Sequence, residues 1–249
     1  MPKFFVSQEQ IKEDKIEIIG TDVNHIKNVL RKKIGEELTI CNNNEAKDYQ
    51  CEITKIEEDK IHLKIKQELE DSAESNVKVT IFQGLPKAEK MELVIQKSVE
   101  LGVFDITPVE MKRCIVKLKE KDKEKKLQRW QKISEVAAKQ CGRNIIPKIN
   151  TFQNLKNICQ NFKEYDIVLV CYENEKEKTL KQELKKIIKE NKKDVKIAIV
   201  IGPEGGIEKE EVEMMKENGA KVITLGKRIL RTETVALNVL SVIMYELEN

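Results

Sequence analysis

Two hydrophobic rhythms divide the chain. Up to about residue 70 apolar positions alternate with polar ones, as in Ile61, Leu63 and Ile65, with shorter runs at 37–40 and around Cys51 and Ile53. A period of two turns one face of each strand inward, so this stretch predicts small β structure. Asn42-Asn43-Asn44 supplies a turn between strands. One helix interrupts them, from about Asp22 or Asn24 to Lys32, with Ile26, Val29 and Leu30 at i, i+3, i+4. Residues 68–76 are polar and aperiodic and predict a linker.

After Val77 the rhythm changes. Val77, Val79 and Ile81 mark a strand, and Met91, Val94, Ile95 and Val99 an amphipathic helix ending near Gly102. A strand at 104–109 precedes a long helix from about Lys123 to Cys141, with Leu127, Trp130, Ile133 and Ala137 on one face. Residues 167–171, 197–201 and 222–225 are short apolar runs of the kind buried on both faces of a parallel sheet. Helices at about 176–190, 208–218 and 233–246 separate and follow them. Strands alternating with helices predict an α/β domain with a covered parallel sheet at 77–249, after a small β domain at 1–70. The last helix is apolar almost all round. Val235, Leu237, Val239, Leu240, Val242, Ile243 and Met244 leave only a stripe of Asn238, Ser241 and Tyr245. Such a helix must be covered on most sides, by a core or by a second subunit.

The 249 residues carry a net charge of only +3 although 36% are charged, so global charge names no partner. Its distribution does more. Between Lys112 and Arg143 twelve Lys or Arg face four acids, while between Pro203 and Asn218 six Glu face two Lys. The basic run is either a solvated helical face or a phosphate-binding surface. Six scattered cysteines without a C-x-x-C pair, no signal peptide and no apolar run near the ~20 residues of a membrane span predict free thiols in a reducing cytoplasm and no membrane partner. His25 and His62 are the sole histidines, too few and too distant for a clustered metal site, so no metal is expected.

Candidate chemistry concentrates in two glycine loops, each leaving an apolar strand and entering a helix. The first is Ile201-Gly202-Pro203-Glu204-Gly205-Gly206-Ile207; the second runs from Leu225-Gly226 through Arg231-Thr232-Glu233-Thr234 to Leu237. Two such loops at the carboxyl ends of parallel strands make a ligand crevice. The first is neither G-x-G-x-x-G nor a P-loop. Glu204, Glu208, Glu210 and Glu211 crowd the following helix start, where they satisfy the helix dipole and repel polyphosphate. A ligand without phosphates and with positive charge fits better, and S-adenosylmethionine is one. Thr232 or Thr234 is placed to cap the last helix.

These words closely resemble the ribosomal RNA small subunit methyltransferase E family, N3-uridine methyltransferases of 16S rRNA in the SPOUT superfamily. The resemblance continues in Ile95 to Val103, Ile106-Thr107-Pro108, Arg113-Cys114, Arg129 to Ile133, Gln140-Cys141-Gly142-Arg143, and at the start in Phe4-Phe5-Val6 and His25 to Arg31. It implies a PUA-like RNA-binding barrel followed by a SPOUT domain whose end forms a trefoil knot. It implies S-adenosylmethionine as cofactor, a homodimer with the active site at the interface, and 16S rRNA, within the assembled 30S subunit, as partner. The uridine concerned is at conventional position 1498. The cofactor positions it implies are Ile201, Gly202, Gly205, Gly206, Leu225, Gly226, Leu230, Arg231, Thr232, Thr234 and Ala236, with Val170 and Tyr172 as a third wall. Lys3, Arg31, Arg113 and Arg143 are RNA candidates; Lys3 departs from the arginine expected there, which weakens a bidentate phosphate contact.

Methylating a uridine N3 requires loss of its proton, so a base or a cation that stabilises the anionic ring is needed. Glu204 and Glu233 are candidate acceptors and Arg231 the candidate stabiliser, with Glu204 favoured as an orienting group. Two other readings stay open: a same-fold transferase acting on transfer RNA or another rRNA nitrogen, and an RNA-binding protein without catalysis.

Overall fold

The computed structural model describes residues 3–70, 73–190 and 194–248. The chain forms two compact units, Met1–Glu74 with Ala138–Ile146, and Ser75–Ala137 with Pro147–Asn249.

The first unit is a six-stranded sheet built from β1 (Lys3–Val6), β2 (Ile11–Lys12), β3 (Lys15–Ile19), β4 (Glu37–Asn42), β5 (Lys47–Ile56) and β6 (Lys60–Leu69), in the order β1-β4-β5-β6-β3-β2. All its pairings are antiparallel except β1 with β4. Alternation is why it has one buried face. Phe4, Val6, Ile16, Ile18, Leu38, Ile40, Cys51, Ile53, Ile61 and Leu63 all turn to one core, and register shifts at Gln50/Cys51 and Ile53/Lys55 bend the two longest strands. The helix at Thr21–Asn24 (α1) continues as a wider turn at His25–Val29 and stops before Lys32, contrary to the longer helix expected. Arg31 follows with φ +54°, a left-handed residue that ends the helical run.

The second unit contains β7 (Lys78–Gly84), α2 (Lys90–Glu100), β8 (Asp105–Glu110), α3 (Glu120–Cys141, whose last residues from Ala138 belong to the first unit), β9 (Lys148–Ile149), β10 (Gln153–Asn154), α4 (Leu155–Gln160), β11 (Ile167–Cys171), α5 (Leu180–Glu190), β12 (Lys196–Ile201), α6 (Lys209–Glu217), β13 (Lys221–Ile223) and α7 (Thr232–Leu247). Its sheet is wholly parallel, ordered β10-β8-β7-β12-β11-β13, with β9 also on β8. β12 lies between β7 and β11, so every side chain from Ile197 to Ile201 is buried, as the unbroken apolar run requires. At roughly 1.5–3 kcal/mol for each large aliphatic side chain, this central strand anchors the domain. α4 and the short edge strands β9 and β10 were not visible in the pattern, being too short for a period to show.

α7 packs against α2, α5 and β12. Ala236, Val239, Leu240, Ile243 and Met244 are buried within this unit, while Leu237 and Val242 are half-covered and Tyr245 is exposed. Most of the apolar surface of α7 is therefore core.

Candidate active site

Four neighbouring strands end at one level. Gln83 of β7 stands opposite Ile201 of β12, Ile201 opposite Cys171 of β11, and Cys171 opposite Ile223 of β13. The loops that leave these ends enclose a cavity of about 540 Å³, within the range of small-molecule sites. Its walls are residues 201–207 of the first glycine loop, 224–232 of the second, Cys171 to Glu173 after β11, Lys90 and Val235.

Glycine is required in the first loop for two reasons. A Cβ on Gly202 would lie 2.7 Å from Ile207 Cγ1 and 3.1 Å from the Gly206 carbonyl carbon, so the loop could not fold back on itself. Gly206 has φ +73°, and a side chain there would collide with the Glu173 carboxylate. The result is a wall made largely of main chain, open to close approach by a ligand.

The two loops are tied together beneath the cavity. Gln83 Nε2 donates to Thr232 Oγ1 at 2.9 Å, and Thr232 Oγ1 donates to the Gly202 carbonyl at 2.7 Å. Gln83 is fully buried and Thr232 nearly so. Thr232 is thus not the cap expected of it. Arg231 occupies the cap position, with Thr232 the first helical residue, and Thr234 is exposed and away from the cavity wall.

The carboxylates of the first loop are engaged. Glu204 accepts from the Lys87 amide at 3.0 Å and pairs with Lys90 Nζ at 3.1 Å. Partial burial alone would raise its pKa, but main-chain N–H groups and Lys90 more than offset this and hold it below the usual carboxylate range. Arg113 grips the loop from the other side, donating through Nε to Glu208 at 2.8 Å and through Nη1 to the Gly205 carbonyl at 2.9 Å. Glu211 accepts from the Glu208 and Lys112 amides, so the start of α6 is satisfied by its own acid and offers little to a phosphate.

The structure gathers Tyr172, Ile201, Gly202, Gly205, Gly206, Leu225, Gly226, Leu230, Arg231 and Thr232 around this one cavity, with Glu204 beside them. Val170 and Ala236 are completely buried behind it, in the sheet and in α7. Lys90, Glu173, Lys227, Arg228 and Ile229 line it as well and were not anticipated. The signal for Lys90 was available: the turn Gly84-Leu85-Pro86 follows a central strand and so opens onto the same crevice.

The RNA candidates fall in different settings. Arg31 is exposed. Arg113 is spent on the first loop. Arg143 is buried against Glu74, and Lys3 pairs with Asp48 at 2.6 Å while donating to the Gly142 carbonyl. In this arrangement neither Arg143 nor Lys3 presents its charge to a phosphate. The basic run is similarly neutralised along much of its length, by Lys123 with Glu110 and Glu120, Arg129 with Glu92, Lys132 with Glu135 and Lys139 with Asp22. Lys117, Lys119, Lys121 and Lys125 are exposed and make no ion pair among the described residues. No helix among the described residues is long and apolar enough to cross a membrane, and no group of three or more His, Cys, Asp or Glu is placed to hold a metal.

Residues 73–244 match the family model of the RNA methyltransferase domain, and residues 18–66 that of the RNA methyltransferase PUA domain. The chain belongs to the ribosomal RNA small subunit methyltransferase E family. The protein of that name from Bacillus subtilis is 35% identical over all of this chain and 98% of its own length. That from Mesomycoplasma hyopneumoniae is 34% identical over 97% of this chain and 98% of its own. The crystal structure of ribosomal RNA small subunit methyltransferase E from Neisseria gonorrhoeae, bound to S-adenosyl methionine, superposes with a TM-score of 0.85 at 30% identity, covering 98% of this chain and 97% of that one. The chain is accordingly an RNA methyltransferase, with a PUA-like first unit and a parallel-sheet methyltransferase unit. In this methyltransferase the PUA match stops short of β1, which the structure nevertheless pairs with β4 in the same sheet.

Proposed function

We propose that this methyltransferase transfers a methyl group from S-adenosylmethionine to N3 of one uridine in 16S rRNA of the assembled small subunit, in the cytoplasm and as a homodimer. The observation that carries the reading is the cavity at the carboxyl rim of the sheet, walled by main chain from both glycine loops. The acid-capped α6 beside it suits a ligand with a sulfonium and no phosphate. The relative from Neisseria gonorrhoeae with S-adenosyl methionine bound supports the same choice. Tyr172, Gly202, Gly205, Gly206, Leu225, Gly226, Leu230, Arg231 and Thr232 are the proposed contacts. Val170 and Ala236 act from behind as packing, and Thr234 belongs to the cofactor word without lining the cavity. The trefoil knot is part of this proposal. It is supported by the insertion of β12 between two earlier strands and by the return of the chain through Thr232 to Gly202.

The cofactor supplies a methyl carbon on a positive sulfur. The uridine N3 lone pair forms the new N–C bond as the S–C bond pair returns to sulfur, and the N3 proton leaves to a base. Most of the acceleration then comes from holding the ring in line and dry. Arg231 lines the cavity at the start of α7 and is proposed to hold a uracil oxygen as negative charge develops. Glu204, already committed to Lys87 and Lys90, orients the loop. Arg31, Lys117, Lys119, Lys121 and Lys125 are the proposed phosphate contacts. Lys3, Arg113 and Arg143 enter only if RNA displaces their present partners.

Single-turnover methylation of 30S subunits, read by nucleoside mass spectrometry, tests the reading. The expected product is one N3-methyluridine in 16S rRNA. Arg231→Ala should slow its formation by about 10²–10³-fold while calorimetry in EDTA still finds one cofactor per chain, held by the remaining contacts. A methyl group elsewhere overturns the substrate assignment, and a wild-type rate in Arg231→Ala removes that residue from the chemistry.

A further inference from the structure

Among the described charged residues that line the cavity, Lys90 alone comes from outside the loops, in the first turn of α2. Its ammonium reaches two carboxylates on different elements: Glu204, between the glycines of the first loop, at 3.1 Å, and Glu233, in the first turn of α7 just beyond the second loop, at 3.5 Å. The turn before α2 adds to the same contact, since the Lys87 amide donates to Glu204 and Ala88 beside it adopts φ +52°.

Glu233 depends on this cation most. Its side chain is 14% exposed, and its Oε2, within 3.5 Å of Lys90, is buried without a hydrogen-bond partner. A carboxylate in that setting is compensated by a facing charge or pays the cost of desolvation alone. Lys90 for its part is held protonated, chiefly by its hydrogen bond to Glu204.

We propose that Lys90 is a positioning residue of the cofactor cavity, an ionic clamp that fixes the first glycine loop and the start of α7 at the spacing the cofactor needs. This rests on the reading of the cavity as the S-adenosylmethionine site. The clamp complements the Gln83–Thr232–Gly202 chain. That chain joins the loops from beneath by neutral hydrogen bonds, whereas Lys90 joins them at the cavity wall by charge. Without the ammonium, two carboxylates that both approach it are left to repel each other, and the loops should part.

The test is calorimetric titration of S-adenosylmethionine into wild type, Lys90→Met and Lys90→Arg, with kcat and KM for the cofactor measured on 30S subunits. Lys90→Met should weaken binding about tenfold, equivalent to roughly 1.4 kcal/mol. The loss should fall mainly on KM, and Lys90→Arg should recover most of it. In a Glu204→Gln/Glu233→Gln background, where there is no charge left to clamp, Lys90→Met should have little further effect on affinity. That comparison holds even if the single variant is less stable. Unchanged affinity in Lys90→Met overturns the clamp. So does an equal loss in the Lys90→Arg protein, or in the neutralised background, because then the side chain matters for packing rather than for charge. Failure of the wild type to bind S-adenosylmethionine at all defeats instead the reading of the cavity.

Discussion

Glu74 and Arg143 show what a single residue's neighbours do to its apparent role. As sequence, Arg143 ends a basic run and reads as a phosphate ligand. As structure, it is buried against the Glu74 carboxylate, which also accepts from the Asn144 and Ile145 amides at 2.8 and 3.0 Å. Burial on its own would raise the Glu74 pKa, but Arg143 and the two amides outweigh it and hold the carboxyl below its ordinary value. A depressed folded-state pKa gives stability that is present above the unfolded value, near pH 4.5, and lost as pH falls through the folded one. Glu74→Gln should therefore destabilise the protein near neutrality by on the order of 3 kcal/mol. It should also flatten the acid-side fall in stability below pH 4.5. Urea melts at a series of pH values measure both, and parallel wild-type and variant curves would show that the pair does not set acid stability.

At the scale of elements, the site is made by strand ends and helix starts rather than by any one loop. α7 begins where it does because Thr232 turns its hydroxyl down to Gly202 and receives Gln83, so a helix start, a loop and a strand end share one buried oxygen. Thr232→Val keeps the shape and removes the oxygen, leaving the Gly202 carbonyl and one of the two Gln83 N–H donors unpaired, while the other keeps its bond to the Gly84 carbonyl. It should cost about 1–3 kcal/mol in thermal or denaturant unfolding and weaken cofactor binding, while Thr232→Ser should restore both. A Val variant as stable as wild type would show that the shared oxygen does not hold the loops together.

For the whole molecule the open quantity is its assembly. The apolar character of α7 suggested a subunit interface, yet Leu240 and Ile243 are buried within the protomer. The exposed apolar side chains available to a partner include Leu93 on α2, Val136 on α3 and Tyr245 on α7, at 42%, 57% and 76% exposure. If the proposed homodimer uses this surface, Leu93→Asp and Tyr245→Asp together should give a folded monomer, since neither charge is forced into the core. Leu240→Asp should instead unfold the domain. Light scattering with circular dichroism separates the two outcomes, and a well-folded wild-type monomer at high concentration would remove the dimer.

The sequence by itself determined the small β structure at the start, the parallel character of the second sheet and the two glycine loops at its strand ends. Each of these is written in local pattern: alternation in Phe4 to Leu63, unbroken apolar runs at 167–171 and 197–201, and glycines at 202, 205 and 206 directly after the second of those runs. Tertiary structure decided which strand lies beside which, and with it the meeting of Gln83 with Thr232 and of Lys90 with Glu204 and Glu233. It also decided which basic residues carry a usable charge. Lys3, Arg113 and Arg143 look like Arg31 in a sequence, and only their folded neighbours, Asp48, Glu208 and Glu74, tell them apart. The reason is physical. Hydrophobic period and the placement of glycines are properties of a short stretch of chain, whereas the worth of a charge depends on what lies within a few ångströms of it, and those neighbours come from distant parts of the sequence.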